Sequence, residues 1–145
     1  MSIEVVKAIK TRWIAKNLGN TITGGIHHSR PAERSDMPYC VFTEVSATTI
    51  TETRCKVGTR FDVQFDVFTK DGNPETSADM AVLVRDAMVN AQDAMTSPLT
   101  VAGLGITDIR VTRDITTNAE GTEQVYRSMF SLAITFSRTS SRKPA

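Results

Sequence analysis

The chain has 145 residues, 40% of them hydrophobic, and 17 basic against 16 acidic side chains give a formal charge of +1. That length predicts one domain with a core large enough to need neither metal nor disulfide, and the charge balance argues against a protein that works by neutralising many phosphates. No run approaches the roughly eighteen apolar residues of a membrane span, and the N-terminus, with Glu4 among its first apolar residues, carries no signal-peptide core.

Ile3, Val6, Ile9 and Trp13, with Val5 and Ile14 one step round, recur at intervals of three and four and predict a helix from Ser2 to about Lys16. Ser2 is its expected N-cap and Leu18-Gly19 its expected end. Lys7, Lys10, Arg12 and Lys16 fall on the remaining surface, which reads as a solvated face, with contact to an acidic partner as the alternative. From Gly19 to Pro38 the chain turns to glycine, proline and polar residues. About twenty residues is long for a loop in a compact domain, so a short strand near Thr21 to Ile26 or a contact surface is expected. His27-His28 invites a metal reading, yet neighbours in extended chain point to opposite sides and no ligand stands at matching spacing. No metal site is expected.

Pro38 precedes a β-rich run, Tyr39 to Val45, and the threonine-rich stretch Thr48 to Lys56 then reads as the tip of a hairpin. Its second arm is Arg60 to Phe68, where Phe61, Val63, Phe65 and Val67 share a buried face and Asp62, Gln64 and Asp66 a wet one, broken by the apolar Phe68. A hairpin centred near Ile50 sets Cys40 opposite about Arg60 rather than Cys55, which disfavours a cross-link; two free thiols are expected, with a disulfide or a reactive thiol as the alternative. Two cysteines without histidine spacing are too few for zinc.

Asp71-Gly72-Asn73-Pro74 is a turn signal. A helix from Ser77 to Gln92 follows, burying Met80 or Ala81, Val84, Ala87, Met88 and Ala91 against the face of Phe61, Val63 and Phe65. Gly103-x-Gly105 lacks the third glycine and the Lys-Ser/Thr of a phosphate loop. A third strand, Ile106 to Ile115, a turn at Thr116 to Gly121 and a fourth strand, Glu123 to Ser137, complete the pattern, with Tyr126, Phe130, Leu132, Ile134 and Phe136 on one parity. The expected fold is α+β: a mainly antiparallel sheet of four strands, or slightly more, against two helices. Residues 1–137 form a single domain and 138–145 a flexible basic tail, or a charged tether to a partner.

Catalytic chemistry is not legible. Asp62 and Asp66 project from one strand face and could serve as acid and base, but alternating polar residues are what a solvated face requires. There is no Gly-x-Ser-x-Gly elbow and no His-Glu-x-x-His. An enzyme would have to draw on residues distant in sequence.

The order of these elements, with the Pro38-Tyr39 opening of one strand and the alternating strand ending at Phe68 before a turn and a helix, resembles the tail terminator, or tail completion, proteins of long-tailed bacteriophages. The resemblance runs from Val5 to Phe136. It implies a structural virion protein, not an enzyme, with no cofactor and no catalytic or metal residues. Such a protein forms a ring, commonly of six copies, on the head-proximal end of the tail tube. There it stops tube growth and offers a docking surface to the head. Implied partners are further copies of itself, the tail tube protein and a neck or head-completion protein, while DNA passes through the lumen without specific binding and no membrane takes part. The protein would assemble in the host cytoplasm and reside in the tail-neck region of the virion. Expected contacts are Ile50, Glu52, Arg54 and Lys56 on the arm, Asp62, Asp66 and Phe68 on the polar strand face, and Asn118 and Glu120 on the last hairpin, with the Gly19 to Asp36 loop. Another neck or head-closure connector, or a small soluble enzyme or binding module, stays open.

Overall fold

The computed structural model describes residues 3–29, 37–53, 56–70, 74–89, 104–120 and 125–138. Helix α1 (Ile3–Ala15) is followed by a 3-10 turn (Leu18–Asn20) and strand β1 (Ile26–His28). Strands β2 (Tyr39–Thr53) and β3 (Lys56–Lys70) come next, then helix α2 (Pro74–Val89), then β4 (Leu104–Glu120) and β5 (Val125–Arg138). One five-stranded sheet has the order β1-β2-β3-β5-β4. Four strands are antiparallel in succession, as expected, while β1 adds a fifth strand parallel to β2.

The expected strand near Thr21 to Ile26 therefore lies a few residues later, where Ile26, His27 and His28 pair with Cys40, Val41 and Phe42. Gly25 has φ +82, a left-handed conformation that glycine adopts without Cβ strain, and its carbonyl accepts the Cys40 N–H at 2.9 Å.

The hairpin register differs from the expected one. Cys40 faces Val67 rather than Arg60, Ile50 faces Gly58 and Thr53 faces Lys56; Arg54 and Cys55 lie outside the described residues. Strand β3 pairs with β5 as far as Gly58 opposite Ser137, so the Thr48 to Ile50 part of the arm belongs to the sheet body. Strand β4 likewise continues through Thr116 to Glu120, which were expected to turn, and residues 121–124 lie outside the described residues. Arg138 pairs with Leu104 and so ends β5 instead of opening a tail; 139–145 lie outside the described residues.

Both helices cover one face of the sheet. Phe61, Val63, Phe65 and Val67 of β3 form one core with Phe42, Phe130, Leu132 and Ile134, joined by Val5, Ile9 and Trp13 of α1 and Ala81, Val84 and Met88 of α2. The α2 stripe is the expected one within its described range; Ala91 and Gln92 lie outside it. Pro74 is the first helical residue, where its fixed φ suits the helix and its missing N–H costs nothing. Ser77 Oγ lies 2.7 Å from Ser128 Oγ, and Ser128 Oγ 2.7 Å from Thr117 Oγ1, so a chain of hydroxyls ties α2 to β5 and β4 inside the core.

Helix α1 is rotated from the expected face. Val5, Ala8, Ile9, Arg12 and Trp13 are buried, whereas Ile14 is 72% exposed. Arg12, expected outside, is 3% exposed and donates from Nε to the carbonyl of Ala87 at 2.9 Å. Burial lowers its pKa, but a guanidinium remains charged, so Arg12 places a cation in the last turn of α2, where orphan carbonyls and the negative dipole end favour it.

Candidate functional site

The second sheet face carries no helix among the described residues, and the register aligns its side chains in rows across the strands. One row runs His27, Val41, Asp66, Met129 and Thr116; its neighbour runs Tyr39, Phe68, Arg127 and Asn118. A third brings Ser46, Asp62, Ala133 and Arg110 into line. Alternation in β2, β3 and β5 builds this face as the complement of the core.

Its charges are largely engaged within the chain. Asp66 is 5% exposed, a correction to the expected wet face, and its Oδ1 accepts Arg127 Nε at 3.1 Å and Gln64 Nε2 at 3.1 Å. Arg127 in turn lies over the Phe68 ring, 5.7 Å from its centroid, and Phe68 stacks on Tyr39 at 5.1 Å with 29° between planes. Phe68 is thus half-buried inside its own chain, between an aromatic ring and a guanidinium. Partial burial raises the pKa of the Tyr39 phenol. Asp62 accepts from Arg60 Nη2 at 3.1 Å and from Ser46 Oγ.

The two histidines diverge, as neighbours in extended chain must. His27 Nε2 donates to the Gly24 carbonyl at 2.9 Å, and its ring meets Tyr39 edge-on, whereas His28 stacks on Phe42. Among the described residues, no three His, Cys, Asp or Glu side chains are grouped to hold a metal ion, and no helix is long and apolar enough to cross a membrane.

The expected contact residues do not converge on one place. Asp62, Asp66 and Phe68 lie on this second face, and the exposed Asn118 joins the Phe68 row through Arg127. Glu120 is opposite Val125 at that same end of the sheet. Ile50 and Glu52 belong to the far end of β2 and Lys56 opens β3, while Arg54 lies outside the described residues. Tyr39, Arg127 and Ser46 were missed. Arg127 had a signal in its parity, opposite to Phe130 and Leu132, but only the register shows that it reaches Asp66.

Cys40 is buried and free, directly behind this face. Burial, and secondarily the Asp66 charge, push its thiol pKa far up, so little thiolate forms. In a Cys55→Ser background, Cys40 should resist a thiol-specific reagent at mildly alkaline pH and react only on unfolding in urea. Rapid labelling of the native protein would contradict this.

A family model described as "Tail completion protein gp17" matches residues 7–135. Among solved structures, a chain from "Virion of native gene transfer agent (GTA) particle" is similar with a TM-score of 0.68 and 14% identity, over 89% of this chain and 91% of that one. At such identity the likeness is one of fold. A search of curated proteins finds no match.

Proposed function

The chain belongs to the tail completion protein gp17 family, a family of structural phage tail proteins and not of enzymes, and from that premise we propose that it caps the head-proximal end of the tail tube. In this reading it assembles as a ring, of six copies, that ends tube growth and presents a docking surface to a neck or head-completion protein. DNA passes through the lumen without specific binding. The family match from residue 7 to residue 135 carries the reading, because it spans α2, most of α1 and nearly the whole sheet. The fold supports it: all described helices lie on one face, and the other carries the carboxylates Asp62 and Asp66, both paired within the chain. The similar fold within a gene transfer agent virion is also consistent with a place in a virion. The sheet end around Ile50, Glu52 and Lys56 and the opposite end around Phe68, Asn118 and Glu120 supply two different ends, one for the tube and one for the neck.

Negative-stain imaging of tail tubes polymerised with and without the protein tests this. Capped tubes of limited length are expected when it is present. Protein that neither binds tube ends nor alters their length overturns the proposal, and protein that binds heads but not tubes favours a head-closure connector instead.

A further inference from the structure

Helix α1 turns Lys7, Lys10, Thr11 and Ile14 to solvent, with Ile14 72% exposed. Helix α2 turns out Glu75, Asp79, Leu83 and Asp86, with Leu83 44% exposed. Each set recurs at three and four and so forms one stripe. One stripe is basic with an isoleucine; the other is acidic with a leucine. We propose that the α1 stripe of one copy docks on the α2 stripe of the next, as a heterologous contact of the ring; the inference rests on the self-assembly in the function proposed above.

Pairing within one copy is disfavoured by direction. Arg12 reaches α2 of its own chain, and at about 100° per residue Lys10 and Ile14 lie roughly 200° round the helix from it. The α1 stripe therefore faces away from its own α2.

Spacing and sign argue for a second copy as the occupant. If Ile14 meets Leu83 with the helices parallel, Lys10 stands opposite Asp79, since each lies four residues before its apolar neighbour, and Lys7 comes within one residue of Glu75. An antiparallel alignment offers Lys10 only Asp86. That carboxylate already meets Arg85 at 3.4 Å, and Arg85 also reaches Asp114 at 2.8 Å. The parallel arrangement sets Lys10 against Asp79 beside one apolar contact. Two different surfaces of one chain, joined head to tail, make an interface that closes a ring when the rotation allows.

Sedimentation velocity of the full-length protein across concentration and salt tests the contact. Lys10→Glu and Asp79→Lys should each raise the concentration needed for assembly about tenfold at low salt, while the Lys10→Glu/Asp79→Lys double variant returns close to wild type. Ile14→Lys gives an independent reading, with a similar loss. All three positions are exposed, and circular dichroism checks that the variants stay folded. Single variants that assemble like wild type, a double variant no better than the singles, or wild-type protein that stays monomeric at every concentration overturns the inference. Tube capping scored on the same samples keeps the two proposals apart. Variants that keep their rings while wild type caps tubes remove only the helix contact, whereas wild-type rings that ignore tubes remove only the capping role.

Discussion

Phe65→Ala is expected to cost about 3–5 kcal/mol, the range for removing a fully buried phenylalanine from a packed core. Phe65 lies at the centre of an aromatic row that crosses three strands: its ring stacks on Phe42 of β2 at 5.9 Å and on Phe130 of β5 at 5.0 Å, with only 4° between the last two planes. All three are fully buried. Truncation loses transfer free energy, opens a cavity that the flanking rings cannot fill by rotation alone, and removes two ring contacts. A domain of this size is stable by about 5–15 kcal/mol, so the variant should be close to unfolding at ambient temperature. Urea denaturation measures it through a lowered midpoint at unchanged slope. Phe65→Leu should lose less than half as much, and an alanine variant within about 1 kcal/mol of wild type would show that the row is not the keystone of the sheet.

Arg127→Ala is the second large effect, expected at about 2–4 kcal/mol. The substitution leaves the Asp66 carboxylate buried beside the Gln64 amide and uncovers Phe68. Breaking one half of a buried pair is costly because the remaining charge loses its compensation, but Arg127 retains 29% side-chain exposure, which lowers the expected figure. A paired replacement separates the cost of an orphaned charge from the worth of the pair. Asp66→Leu with Arg127→Met should be more stable than Arg127→Ala, because no lone charge remains. If the double variant is the less stable of the two, the ion pair itself carries the stabilisation.

The strand–helix unit from Arg60 to Val89 was legible because each element buries one side. Phe61, Val63, Phe65 and Val67 alternate with polar residues, and Ala81, Val84 and Met88 recur with helical period, so periodicity alone names the inner face. Helix α1 was legible as a helix but not in its rotation. Val5 and Ile9 support one face, Ile14 and Val6 a neighbouring one, and a buried arginine bonded to a helix end has no apolar signature. Of the expected contact residues, Asp62 and Asp66 were legible only as polar positions on a strand. That Asp66 is consumed by Arg127 depends on a pairing 61 residues apart in the chain.

Local periodicity by itself thus determined the two helices, the hairpin of β2 and β3, the core face of β3 and β5, and the lack of any compact catalytic motif, since each of these is encoded in residues within a few positions of one another. The tertiary structure alone decided the parallel addition of β1, the five-residue extension of β4, the seat of Arg12 and the pairing that sets Cys40 against Val67. A threonine-rich run reads alike as strand or as hairpin tip, and a three-residue strand has no period to detect. Register is fixed by which partner strands meet, so it becomes visible only once the whole sheet is assembled.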